Sequence, residues 1–322
     1  MDYDRRMNTD PKNPGEQQAL SQDAPDPRFL EEFQKVIGSW AEATSAGKGE
    51  EANAAAMQAL MMAAEEAMKN PTPSLRLKQK ADDLETQGDW SGAETVRREV
   101  LAVEEASGNP GLVAKAQMDL CRLLRFLGRA DEAWQFACAA TASARRTEIF
   151  PVLVMALETE AFCALNRGDS SRALAAASEA VQIIEPGKVH DGMRAKALAT
   201  RARCLLANDD SPGAESDLAA CWELIQARPH SLTMPGPTLT VTNWWEVKSQ
   251  LEERRGNLEG AREALGRAIA QRRQMQSPFA LSALAQALEI LAELSRAAKD
   301  PAGAERALDE AKSIRKDLHF LR

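Results

Sequence analysis

Three histidines, His190, His230 and His319, and five cysteines, Cys121, Cys138, Cys163, Cys204 and Cys221, are the residues best suited to acid–base, nucleophilic or metal chemistry. Their spacing assembles none of it. The histidines lie far apart in the sequence, and no two cysteines stand at the separation of a zinc site. An odd number of cysteines, each inside a helical run, predicts buried free thiols rather than disulfides or redox centres. The phosphate-loop, zinc-protease and serine-hydrolase patterns are absent. The sequence therefore predicts no enzyme, no catalytic residue, no metal and no cofactor. One tripeptide, Arg167-Gly168-Asp169, reads either as an adhesion signal or as a turn, and only the wider pattern decides between them.

That pattern is a repeat. Gly168 is followed five residues later by Ala173, and the same step joins Gly47 to Ala52, Gly88 to Ala93, Gly128 to Ala133 and Gly256 to Ala261. Two copies keep the alanine and replace the glycine: Asp209 with Ala214, and Lys299 with Ala304. The seven turn positions are spaced by 41, 40, 40, 41, 47 and 43 residues. Twelve residues after the turn, each copy has a small or short residue: Ala59, Val100, Ala140, Ala180, Cys221, Ala268 and Ala311. Seven before it stand Ala81, Cys121, Ala161, Ala202, Ser249 and Ala292, with Trp40 as the exception. Small residues at fixed helical offsets let two helices approach closely. Prolines 71, 110, 151, 186, 229 and 278 separate the units. Each unit is then helix, turn, helix. Gly supplies the left-handed turn conformation, and Asp89, Asp169, Asp210, Asn257 or Asp300 starts the second helix. Arg167-Gly168-Asp169 is the turn of the fourth unit.

The composition agrees. Ala, Leu, Glu and Arg dominate, only 5% of residues are aromatic, and no convincing alternating strand is present, so the chain should be all-α. A net charge of −8 argues against a nucleic-acid partner. The polar N-terminus lacks a signal-peptide core and no apolar run looks long enough to span a membrane, so a cytoplasmic protein without a membrane partner is expected.

The segments "QGDWSGAETV" (87–96), "LGRADEAWQFACAA" (127–140), "NRGDSSRALAAASEAV" (166–181) and "RGNLEGAREALGRAI" (255–269) resemble the turn and second helix of the tetratricopeptide repeat. The unit of 40–41 residues exceeds the usual 34 and resembles the longer-repeat types, such as maltose-regulator sensor domains and kinesin light chains. The resemblance implies a right-handed α-solenoid superhelix of stacked helical hairpins. Residues 1–28 are expected as a disordered tail and 29–70 as an atypical capping hairpin. Residues 71–322 would form six hairpins, with a proline-rich loop at 229–242. Asn243 and Glu246 read as a capping box opening the helix after that loop. Trp245 falls in register for packing, whereas Trp244 is one residue off, either a contact beside the loop or packing beneath it.

The resemblance also implies a ligand groove lined by first helices. Its offsets place Lys115, Met118, Arg122, Arg125 and Phe126 there in the third unit, and Met155, Glu158, Phe162, Leu165 and Asn166 in the fourth. Lys196 and Arg203 follow in the fifth, and Glu246, Glu253, Glu289 and Glu293 beyond it. These are either ordinary solvated charges or a site for an acidic, partly apolar segment gripped by Arg and Lys. The carboxylate clamp of the family is not matched, because Asp82 stands where the clamp has Asn, although Lys78 falls at a basic offset. The expected function is a non-catalytic interaction scaffold or adaptor holding a peptide segment or helical partner. The alternatives are a peptide- or ligand-responsive regulatory sensor, or a regulatory subunit on an enzyme such as a protease.

Overall fold

The structure, a computed structural model, describes residues 71–147, 149–184, 191–227 and 239–320. The tail and capping hairpin expected over 1–70 lie outside the described residues, as do the side chains of all three histidines. Among the described residues there are twelve helices and no strand. They are α1 (Pro73–Gln87), α2 (Trp90–Ser107), α3 (Pro110–Phe126), α4 (Ala130–Ala144), α5 (Phe150–Asn166) and α6 (Ser170–Ile183). Then come α7 (Asp191–Ala207), α8 (Ser211–Ala227), α9 (Leu239–Arg254), α10 (Leu258–Arg272), α11 (Pro278–Ala297) and α12 (Pro301–Phe320). Helices α3 to α12 pair in order into five hairpins, the Lys78–Glu104 and Arg97–Glu85 ion pairs join α1 to α2 as a sixth, and each hairpin stacks on the next. The chain segment 77–322 is one compact unit.

The six turns are built alike. Gly88, Gly128, Gly168 and Gly256 all have φ between 75° and 79°, the left-handed region. The next residue donates its N–H five positions back, as in Asp89 to Leu84 O, Asp169 to Ala164 O and Asn257 to Glu252 O, each at 2.9 Å. This satisfies a carbonyl left open at the helix end and closes it with a Schellman turn. Asp209 (φ 62°) and Lys299 (φ 61°) take the same conformation without glycine's freedom. The carboxylates of Asp89, Asp169, Asp210 and Asp300 then accept from a backbone N–H three residues on, at 2.8–3.0 Å. They cap the second helices. The Arg167-Gly168-Asp169 carboxylate is therefore spent on Arg172 N, and the tripeptide is a turn.

The repeat positions form the seams. Ala93, Ala133, Ala173, Ala214 and Ala261 are wholly buried, as are Ala140, Ala180, Cys221 and Ala268. Cα–Cβ stubs at these points let backbones meet, and Leu120, Leu157, Leu251 and Leu288 fill the space between. Prolines 110, 151 and 278 occupy the first turn of α3, α5 and α11, where the missing N–H costs nothing. They open the next unit as much as they end the last. Helix α11 is long and apolar enough to cross a membrane by length and composition, with a mean hydropathy of 1.2. Half of that stretch is buried against α10 and α12, which accounts for its character as a core helix.

Two expectations around the long connection are corrected. Helix α9 starts at Leu239, so 239–242 are helix rather than loop, and 228–238 lie outside the described residues. Asn243 and Glu246 therefore sit inside the helix and form no capping box. Glu246 is drawn away by two arginines instead.

Candidate functional site

The first helices α3, α5, α7, α9 and α11 surround one lumen of about 710 Å³. Its size falls within the roughly 300–1,000 Å³ of small-ligand sites. Because side chains three and four apart share a helix face, the lumen side of α5 carries Phe162, Leu165 and Asn166, and that of α9 carries Asn243, Glu246, Gln250 and Glu253.

Charge in the lumen is organised around Phe162 and Glu246. The guanidinium of Arg125 lies 5.7 Å from the Phe162 ring centroid and that of Arg203 5.8 Å, within reach of the ring's negative quadrupole. Arg203 donates to Glu246 Oε2 at 3.0 Å, and Arg272 donates its Nε–H to Oε1 at 2.6 Å. One carboxylate thus holds two arginines from different hairpins. Arg125 has no carboxylate within ion-pair distance among the described residues, nor does Glu253 on the far wall. Behind the wall, Glu158 is 2% exposed. Burial pushes its carboxyl up, and the charge of Lys196 opposes that shift. Lys196 Nζ sits 2.7 Å from Oε2, but off hydrogen-bonding direction, and Oε1 has no hydrogen-bond partner.

Of the residues placed in the groove by sequence, Arg125, Phe162, Leu165, Asn166, Arg203, Glu246 and Glu253 do line the lumen. Others do not. Met118 is buried, packed with Ala114, Ala140 and Ala156, and is corrected to a core residue. Phe126 packs on Trp90, and Arg122 donates to Glu85 at 3.2 Å. Lys196 is spent on Glu158, and Lys115 and Met155 are exposed away from the lumen. Trp244 takes the packing alternative rather than the loop contact: it is 9% exposed, stacks 4.5 Å from Trp222, and donates its indole N–H to Leu218 O at 2.8 Å. Its polar handle is satisfied internally, which removes it as a surface contact. Arg272 and Arg254 were missed by sequence. Arg272 stands on a second helix, outside the offsets considered.

The free thiols are as expected, with four of five buried. Cys121 and Cys163 are in contact at 3.2 Å across α3 and α5, a pairing that their separation of 42 residues conceals. No group of three metal-ligating side chains occurs among the described residues.

No protein-family model matches this sequence, and no curated protein matches it either. Solved structures do match in shape. A Rap protein complexed with competence and sporulation factor aligns at a TM-score of 0.58, with 12% identity, over 95% of this chain and 79% of that one. The apo form of RapI aligns at 0.58 and 10%, over 89% and 99%. Aspartyl phosphate phosphatase F from Bacillus subtilis aligns at 0.52 and 11%, over 93% and 86%. The fold is of the tetratricopeptide-repeat type. At these identities the likeness speaks for architecture alone. The tetratricopeptide-type array accounts for a site made of first helices: each contributes one face, and stacking brings those faces together.

Proposed function

We propose that this protein is a non-catalytic interaction module, acting in the cytoplasm, that holds a short peptide segment of a partner inside the lumen. The observation that carries the reading is convergence: five first helices from five hairpins present Arg125, Asn166, Arg203, Gln250 and Gln286 to one 710 Å³ space. Asn and Gln side chains offer both donors and acceptors to a main chain, and Arg125 offers a fork to a carboxylate. Phe162 and Leu165 supply the apolar surface between them. An acidic, partly apolar segment suits this set, with its carboxylate at Arg125. The solved Rap protein complexed with competence and sporulation factor supports an array of this shape engaging another molecule.

Arg125 can be tested alone, because reversing Arg122 or Arg203 would also set a new carboxylate against Glu85 or Glu246. The probe is an array of immobilised acidic, neutral and basic hexapeptides. Wild type should retain acidic–apolar peptides, and Arg125→Glu should weaken them about 10–100-fold, the range of a charge-assisted pair worth roughly 1.5–3 kcal/mol. Retention should also fall as salt rises. Equal retention by wild type and variant, with no salt dependence, would remove the lumen as the site.

A further inference from the structure

The last hairpin reaches the first two. Phe279, the second residue of α11, meets Trp90 at the start of α2 (centroids 6.0 Å) and Phe126 at the end of α3 (5.0 Å), both edge-on. Trp90 and Phe126 are themselves 4.4 Å apart. The Arg122 guanidinium sits 4.3 Å from the Phe279 centroid and is anchored by Glu85, which also accepts from Arg97 Nε at 3.0 Å. Helices α3 and α11 are the first and last of the five around the lumen. Their contact therefore turns a groove into a closed ring.

This joint differs from every other in the ring. Consecutive hairpins pack helix on helix along their length, whereas α11 does not pack on α2 or α3 in that way. Side chains alone span the gap. Closure also covers the Trp90 indole, whose N–H is buried with no acceptor, an arrangement that costs free energy while the joint is shut. In a quasi-one-dimensional array, the contact that is neither sequential nor backbone-packed is the first to give way.

We propose that the Trp90–Phe126–Phe279 clasp, steadied by Arg122, is the gate of the lumen: the ring opens between α3 and α11 to admit a segment from the side and shuts behind it. The proposal rests on the lumen being the binding site. It makes the protein a device with two states rather than a fixed groove, which is what a ligand-responsive sensor needs.

The test measures the joint without any ligand. Spin labels are placed at Gln87→Cys and Gln276→Cys, both exposed positions beside the clasp, with the half-buried Cys138 changed to Ser. Wild type should give one dominant short distance with a minor longer one. Phe279→Ala should raise the longer population at least about tenfold, Arg122→Gln by less, and Phe279→Tyr should restore the wild-type distribution. Circular dichroism reports folding for each variant. If Phe279→Ala does not fold, Arg122→Gln still decides. Unchanged distances in the folded alanine and glutamine variants would overturn the gate. For an array hexapeptide that binds wild type, Phe279→Ala should speed association about tenfold, and an unchanged rate would likewise overturn it. Should no hexapeptide bind, the lumen reading falls while the distances still judge the clasp.

Discussion

The seams between successive hairpins and the joint that closes the ring use opposite materials. In the seams, Ala140, Ala161, Ala173 and Ala180 are wholly buried and bring backbones together. At the closing joint, three aromatic rings and a guanidinium reach across a gap that the backbones do not cross. Small residues give continuous contact that resists deformation, because an interior near crystal density has nowhere to shift. Large rings give a hold that can be let go one side chain at a time. The difference separates what must stay fixed from what can move.

Substitutions can break or sharpen that contrast. The largest effect belongs to a seam. Ala180→Phe forces a ring into a site with no free volume and should cost about 3 kcal/mol, read as a lowered melting temperature. A wild-type melting temperature would mean the seam is loose. Next is the ion pair behind the lumen wall. Lys196→Met strands the Glu158 carboxylate and should cost about 2 kcal/mol, below the usual loss for a fully buried pair because the Lys196 side chain is 37% exposed. Its pH dependence has a definite sign. The folded carboxyl of Glu158 is raised by burial, so its contribution is full below the unfolded value of about 4.3 and is lost as pH rises through the folded one. The deficit of Lys196→Met should therefore widen from acid to neutral pH and disappear in Glu158→Gln.

Phe279→Ala comes third at about 1 kcal/mol, roughly 2–4 °C in melting temperature for a chain of this size, despite deleting a whole ring. A loss matching that of Ala180→Phe would erase the distinction between seam and joint. The smallest effect is a gain. Lys299→Gly relieves a left-handed lysine and should stabilise by about 0.5 kcal/mol, the relief being partly offset by the freer unfolded chain. Thermal melts at one pH rank all four.

The seams and turns were legible in the sequence because they recur. A glycine or its substitute every 40 to 47 residues, and alanine at fixed offsets from it, needs nothing but counting. The lumen was legible in part. Phe162, Asn166 and Arg203 stand at offsets that the repeat resemblance implies, but Met118 at another of them is core, since a helix turns about 100° per residue and a small phase difference changes the face. The clasp left no periodic trace. Trp90 sits in the repeat segment 87–96, and nothing in the sequence links it to Phe279, 189 positions on. Such contacts are set by accumulated superhelical rotation, which no local pattern encodes.

The left-handed backbone at Asp209 and Lys299 bears on how the chain acquires this structure. A glycine turn with a capping residue lets a hairpin nucleate from its own sequence, because its two helices are aimed before they dock. A hairpin whose turn must force a side chain into that conformation nucleates poorly and waits for a preformed neighbour to template it. The α5–α6 and α9–α10 hairpins should then acquire amide protection early in pulse-labelled refolding, and α7–α8 and α11–α12 late. Since α11 carries Phe279, the ring would close only as the final act of assembly, after the lumen walls are in place.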